Sequence, residues 1–281
     1  MKYREAYLQG SDILKQNGII EYEIDARLLL EFICKTKRHD MILNPDKELT
    51  KDEEDKFFQY IEDRSKRNPL QYIIGEQDFM GHTFKVNKHV LIPRQDTEIL
   101  VEEAQKYIRP NMKVLDMCTG SGCILLSLLQ YEKAAKGIGV DISIDALKVA
   151  SFNQDKLDSD NNTKVEAHFI QSNLFESVEG LYDIIISNPP YIRSDVIKTL
   201  EVEVKDKEPM QALDGFEDGL YFYREIILKS RSYLKDKGIL LFEIGYDQAN
   251  DVSEMMKAAG FKNIYVLKDL ARLDRVVVGS L

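Results

Sequence analysis

The chain has no tryptophan, only seven prolines and four scattered histidines, and just three cysteines. Cys34, Cys118 and Cys123 are odd in number and form no Cys-x-x-Cys pair, so a disulfide framework is excluded. No His/Cys cluster has metal-ligand spacing, so no metal is expected. The apolar runs Ile184–Ile186 and Ile239–Phe242 are far shorter than the roughly 20 residues that span a bilayer. The opening residues MKYREAYLQG contain no apolar signal-peptide core. No membrane partner and no export are expected, and a reducing cytoplasm is the expected location. A basic stripe is also missing. The net charge is −10, and the first 80 residues hold 13 Lys/Arg against 17 Asp/Glu. A surface that neutralises phosphates normally carries the opposite balance, so direct nucleic-acid binding is not expected.

What is present fits a globular protein. The 281 residues are 44% apolar and 31% charged, enough for one large α/β domain and a small companion. Residues 1–80 read as helices. Tyr3, Ala6/Tyr7 and Ile13/Leu14 recur at helical spacing, with Gly10 a weak spot, and Ile24, Leu28/Leu29 and Phe32/Ile33 repeat the pattern. Thr50-x-x-Glu53 is a capping box ahead of Phe57/Phe58 and Ile61. Phe84 and Val86 then alternate with polar neighbours after Gly81, which predicts a short β-hairpin linker reaching to about residue 94.

Residues 81–281 form the predicted second domain, where strand and helix alternate. Strands are expected at Lys113–Met117, Gly137–Val140, Ala167–Gln171, Tyr182–Ser187, Ile239–Ile244, Phe261–Leu267 and Val276–Val278. Such alternation builds a mostly parallel sheet flanked by helices. The last two strands are joined only by Lys268–Arg275, so they should pair antiparallel.

Two segments carry chemistry. Leu115–Met117 runs into Cys118-Thr119-Gly120-Ser121-Gly122, a strand that enters a tight turn and then a helix. Gly120 and Gly122 allow a sharp bend and close ligand approach, and the helix start offers free N–H groups. Asp141 closes the next strand, 19 residues beyond Gly122, where a carboxylate can hold both hydroxyls of a ribose. An adenosine-containing cofactor follows. A nicotinamide dinucleotide is the rival, although the third glycine of its usual fingerprint is absent.

Asn188-Pro189-Pro190-Tyr191 lies at the end of the fourth strand. A planar amide or aryl-amine nitrogen is a poor nucleophile, because its lone pair is delocalised. A rigid pair of acceptors for its N–H protons draws it toward pyramidal geometry and aims the lone pair at an electrophile. The Asn188 side-chain oxygen and the carbonyl of Pro189, in a corner stiffened by two prolines, supply such a pair, and Tyr191 can stack on a flat substrate group. Methyl transfer from S-adenosylmethionine is the reaction this arrangement suits.

With these residues in view, the chain resembles the HemK/PrmC family of protein-(glutamine-N5) methyltransferases. The likeness spans nearly its whole length: Asn68–Gly75, Ile92-Pro93-Arg94-Gln95-Asp96-Thr97-Glu98, the Gly-rich loop, Asp141, Asn188–Tyr191, Glu208-Pro209 and Asp274–Val277. The resemblance implies a Rossmann-like class I methyltransferase domain, with an antiparallel C-terminal strand, preceded by a small all-helical domain. It implies that the substrate is the glutamine of the Gly-Gly-Gln motif in class I peptide-chain release factors, gripped in part by the helical domain. It further implies that Cys118, Thr119, Gly120, Ser121 and Gly122 contact the methionine side of S-adenosylmethionine and Asp141 the ribose. Asn173 and Leu174 border the adenine, Asn188 and Pro189 take the amide protons, and Tyr191 packs on the glutamine. A monomer is expected. The alternative is an amino-methyltransferase acting on adenine or guanine of DNA or RNA, and a third reading is a non-catalytic cofactor-binding module.

The sequence departs from the family pattern at several places. Cys118 replaces the first glycine of the loop and fits there if its φ stays negative. Asn173 replaces a common Asp, and Ala271-Arg272-Leu273 replaces Ala-Gly-Arg/Lys. Asp96 is expected to cap the helix that follows it, Thr97 and Glu98 to serve structure, and Tyr107, Tyr131, Phe57/Phe58 and Tyr221/Phe222 to fill the core.

Overall fold

The protein is described by a computed structural model that covers all of Met1–Leu281. Its chain divides into two compact units, Met1–Glu76 with Glu201–Lys207, and Gln77–Leu200 with Glu208–Leu281. No helix is long and apolar enough to cross a membrane.

The first unit is helical: α1 (Tyr3–Gln16), α2 (Tyr22–Cys34), α3 (Arg38–Leu43), α4 (Lys51–Ser65) and α5 (Leu70–Ile74). The i/i+3/i+4 apolar stripes close on one core of Tyr3, Leu14, Leu29, Leu30, Phe57 and Ile61. Gly10, read from sequence as a weak spot in α1, turns out to be what that packing requires. A Cβ there would sit 2.7 Å from the Phe57 ring, so α1 and α4 can approach only over a glycine. The capping box at Thr50 and Glu53 forms as expected, with reciprocal hydrogen bonds of 3.2 and 2.8 Å.

In the second unit a hairpin of β1 (Glu76–Phe79) and β2 (His82–Lys85) turns at Met80-Gly81, as the alternation of Phe84 and Val86 predicts. There follow α6 (Gln95–Gln105), β3 (Lys113–Met117), α7 (Cys123–Tyr131), β4 (Lys136–Asp141), α8 (Ile144–Asp160), β5 (Glu166–Gln171) and β6 (Tyr182–Ser187). Beyond them come the short helices α9 (Ser194–Ile197) and α10 (Val202–Lys205), the latter grouped with the helical unit. The chain ends with α11 (Tyr221–Ser230), β7 (Leu234–Glu243), α12 (Ala249–Ala258), β8 (Lys262–Lys268) and β9 (Asp274–Ser280).

The seven-stranded sheet has the order β5-β4-β3-β6-β7-β9-β8. All neighbours are parallel except β9, which runs antiparallel to both β7 and β8. The apolar strand residues are buried between helical layers in two clusters, one around Leu125, Leu128 and Ile186, the other around Leu115, Ile185, Leu240 and Phe242. The chain moves outward from β3 to β5, then crosses back to β6 on the other side of β3. That reversal opens a crevice beyond the carboxyl ends of β3 and β6.

Two expectations need correction here. The residue that caps α6 is Arg94, in extended conformation; Asp96 lies in the first turn, 3.4 Å from Arg275. Tyr131 ends α7 and is 62% exposed rather than buried. The helix α11 stops at Ser230, and Leu234 begins β7.

Candidate active site

Registry brings the two chemical segments together. Met117 pairs with Ser187 across β3 and β6, so Cys118 and Asn188 leave adjacent strands side by side. The Ser187 hydroxyl donates to the Met117 carbonyl at 2.6 Å and ties the two ends. On the other flank Met117 pairs with Val140, which sets Asp141 beside the same turn. A cavity of about 760 Å³ opens there, within the range of small-molecule and cofactor sites. Of the residues singled out from sequence, Cys118, Thr119, Gly120, Ser121, Asp141, Asn173, Leu174, Asn188 and Pro190 line it.

The Gly-rich turn is built by backbone conformation. Cys118, Gly120 and Gly122 all have positive φ, of 62°, 54° and 79°. A Cβ on Gly120 would meet nothing within 4 Å, so that face of the turn is open to a ligand. Gly122 is not in the cavity wall. It caps α7, and a Cβ there would sit 3.1–3.3 Å from Ala150, Leu126 and Phe169. The expectation that Cys118 keeps a negative φ is wrong: this residue carries its Cβ in the left-handed region, at a cost of about 1–2 kcal/mol. Burial pushes the Cys118 thiol well above its ordinary range and Cys123 up to about 12, so neither is a thiolate at neutral pH.

Asp116, wholly buried under the turn, accepts from the Thr119 hydroxyl at 2.5 Å, while its Oδ1 has no partner. Burial lifts its pKa to about 7 against the lowering effect of Thr119, with Asp141 adding to the rise. Asp141 accepts from Gly120 N–H at 2.9 Å and Ser143 N–H at 2.9 Å, so its carboxylate is oriented before any ligand arrives. Burial also raises its pKa, and these backbone N–H groups oppose the rise. Asn173 spends its amide nitrogen on Glu176 at 2.9 Å, which leaves the oxygen as its remaining polar group. Leu174 also has positive φ, 50°, and its carbonyl accepts from the Ser172 hydroxyl at 2.8 Å.

At the other end of the cavity, Asn188 Nδ2 donates to Thr97 Oγ1 at 3.3 Å. Pro189 is buried and Tyr191 half-buried, and neither is in the cavity wall. The Tyr191 hydroxyl donates to Glu243 Oε1 at 3.2 Å, and burial drives its phenol pKa far upward. Its carbonyl is held by Gln248 Nε2 at 3.0 Å.

Sequence reasoning missed much of the wall. Pro93, Arg94 and Thr97 contribute from the segment before and inside α6, and Pro209–Ala212 from the loop after α10. Glu208 anchors that loop, accepting from Ile92 N–H at 3.2 Å and from the Arg94 guanidinium. Tyr221 and Phe222, expected in the core, line the cavity together with Phe216. The three rings pack at 4.8–5.8 Å between centroids, and Phe216 is held at φ 68° by the Asp214 carboxylate on its N–H. Helical periodicity alone could not tell a core face from a cavity face at the start of α11.

Comparison with known proteins places this geometry. Residues 5–75 match the PrmC N-terminal domain and residues 94–204 the methyltransferase small domain. The chain is 42% identical over 280 residues to a release factor glutamine methyltransferase of Clostridium acetobutylicum, covering 99% of this chain and 98% of that protein. It is 40% identical to the protein of that name from Caulobacter vibrioides, with 98% and 95% covered. Among solved structures, a methyltransferase from Pyrococcus furiosus shares the fold at a TM-score of 0.51 and 14% identity, over 70% of this chain and 87% of that one. The protein belongs to the family of release factor glutamine methyltransferases.

Proposed function

We propose that this protein transfers a methyl group from S-adenosylmethionine to the side-chain amide nitrogen of the glutamine in the Gly-Gly-Gln motif of class I peptide-chain release factors. The observation that carries the reading is the side-by-side exit of Cys118 and Asn188 from β3 and β6 into one cavity. The residues present suit the cofactor: a pre-oriented Asp141 carboxylate for a diol, a Gly120 face with no Cβ, and an Asn173 oxygen for an exocyclic amine. When bound, S-adenosylmethionine supplies an electrophilic methyl on a sulfonium. Asn188 Oδ1 and the Pro189 carbonyl accept the two amide protons of the substrate and orient its nitrogen. With the cofactor bound, the nitrogen held by these two acceptors would take the methyl, leaving the neutral thioether, and would release one proton to water. That proton becomes acidic as the methyl arrives, so no strong base is needed. Tyr191, its phenol pKa driven up by burial, is not one.

The helical domain, residues 1–80, serves as the release-factor recognition domain, and residues 81–281 carry out the transfer. The enzyme acts as a cytoplasmic monomer without touching nucleic acid directly. The test is mass spectrometry of a release factor incubated with the protein and S-adenosylmethionine. One added methyl on the Gly-Gly-Gln peptide, absent from a Gly-Gly-Ala control, is expected. Transfer to DNA or RNA and none to the release factor would overturn the reading.

A further inference from the structure

One loop in the cavity wall is shaped against the ordinary preference of its residues. Phe216 lies between α10 and α11 with a φ of 68°, a region that a bulky side chain rarely adopts, and it is 48% exposed. Neither feature serves the fold. An apolar ring half in water gives up much of what burial would contribute, and a left-handed backbone is unfavourable for any residue with a Cβ. Strain of this kind gathers where a site needs a side chain held in one place. Hydrogen bonds fix the conformation here. Phe216 N–H donates to Asp214 Oδ1 at 2.9 Å, and the Phe216 carbonyl accepts from Ser194 N–H at 3.1 Å. Asp214 Oδ1 also accepts from the Ser194 hydroxyl at 2.6 Å, and Gly215 N–H donates to the Ile192 carbonyl at 2.8 Å. Tyr221 meets the Phe216 ring edge-on, with 4.8 Å between centroids.

These bonds run to the residues just beyond Asn188–Tyr191, so the loop is fastened to the chemical end of the cavity. A Cβ on Gly215 would sit 2.8 Å from the Tyr191 main chain, and Phe216 is the next residue. Gln248 ties the far end of the loop to the same place, its Nε2 donating to the Tyr191 carbonyl at 3.0 Å and to the Gly219 carbonyl at 3.2 Å. Phe216 and Asn188 both line the cavity. A phenyl ring has no polar atom with which to take up a proton or bond a peptide, so it acts by packing and exclusion. Against a Gly-Gly segment, the property such a surface can test is the missing Cβ. We infer that Phe216 is a specificity-determining residue: its fixed ring packs on the main chain of the glycines that precede the acceptor glutamine and refuses a side chain there. This rests on the reading above, in which a Gly-Gly-Gln segment presents its glutamine to Asn188.

The experiment uses the full chain and three variants, Phe216→Gly, Phe216→Ala and Phe216→Tyr. The substrates are a release factor and its Ala-Gly-Gln and Gly-Ala-Gln forms. For each pairing kcat and KM are measured, together with the Kd of S-adenosylmethionine and the melting temperature of each protein. The parent should prefer Gly-Gly-Gln over at least one alanine form by about ten- to a hundredfold in kcat/KM. Phe216→Gly and Phe216→Ala should each cut that preference about fivefold or more. Their KM for the Gly-Gly-Gln form should rise about three- to tenfold, with kcat and cofactor Kd within about threefold of the parent. Phe216→Tyr, which keeps the ring, should hold the preference within about twofold. The alanine at 216 retains a left-handed Cβ and the glycine does not, so agreement between the two assigns the effect to the ring rather than to the backbone. If one of them fails to fold, the other decides. An unchanged preference in the ring-less variants would overturn the inference, as would a loss in Phe216→Gly without one in a folded Phe216→Ala. A parent that methylates all three forms alike would also overturn it. So would a cofactor Kd that rises as much as KM, which would put the ring on S-adenosylmethionine instead. No transfer by the parent to any form would remove the proposed function itself, a separate failure.

Discussion

The two ends of the cavity are built by different means, although they leave adjacent strands in register. The turn after β3 owes its shape to main-chain conformation, with positive φ at Cys118, Gly120 and Gly122 and backbone N–H groups fixing Asp141. The corner after β6 owes its shape to side chains that come from elsewhere in the sequence. Thr97 reaches Asn188, Glu243 takes the Tyr191 hydroxyl, and Gln248 holds the Tyr191 carbonyl. Changes to the first end should alter binding and stability, while changes to the second should alter the reaction step. The difference separates an end that holds a ligand from an end that acts on one.

The sharpest way to break this contrast is Asn188→Ala. Turnover should fall by about a hundred- to a thousandfold, as when one stabilising group of a reaction site is removed, with cofactor affinity within about twofold of the parent. Single-turnover assays and calorimetry on the same protein check both halves. Equal losses in the two would erase the distinction.

Next in size is a pH effect at the other end. Asp116 holds its proton up to about pH 7 in the fold, whereas its ordinary value is 3.8. Between these values the folded chain binds a proton that the unfolded chain has released, so stability falls as pH rises from about 4 to about 7 and is flat above. Asp116→Asn can still accept from Thr119 and should remove a few kcal/mol of this dependence. Urea unfolding of both proteins at pH 5 and pH 8 reads the difference, and parallel curves would refute it.

Asp141→Ala should weaken S-adenosylmethionine binding by about ten- to a hundredfold, the cost of one charge-assisted pair of hydrogen bonds, with kcat at saturation nearly unchanged. A loss confined to kcat would contradict the division between the ends. The smallest effect is expected from Cys118→Gly, which relieves a left-handed φ. It should stabilise the protein by about 1 kcal/mol, measured as a rise in denaturant midpoint, with turnover intact.

This division also explains what could be read from the sequence. The strands announced themselves as apolar runs such as Ile184–Ile186, and the short connection Lys268–Arg275 gave away the antiparallel pair β8 and β9. That β9 slips between β7 and β8 could not be read, because local patterning does not encode strand order. At the site, glycines and a terminal acid mark a backbone-built loop, so Gly120 and Asp141 were visible. The side-chain-built corner was visible only at its centre. Thr97 lies 91 residues from Asn188 and Glu243 lies 52 from Tyr191, and neither spacing carries a periodic signal. Arg272 stands where the family pattern has a glycine. Its φ of 65°, in the turn between β8 and β9, gives the physical reason for a glycine there.

The helical unit is interrupted in the chain: Glu201–Lys207 joins Met1–Glu76 only after most of the sheet has been traversed. Glu203 accepts from Arg64 and Arg67, both at 3.1 Å, and Arg64, itself buried, also holds the buried Asp25 at 2.7 Å. Without Glu203, then, Arg64 and Arg67 have between them only the Asp25 carboxylate, which is held by Arg64. A fragment cut after Glu76 lacks the carboxylate that the two arginines share.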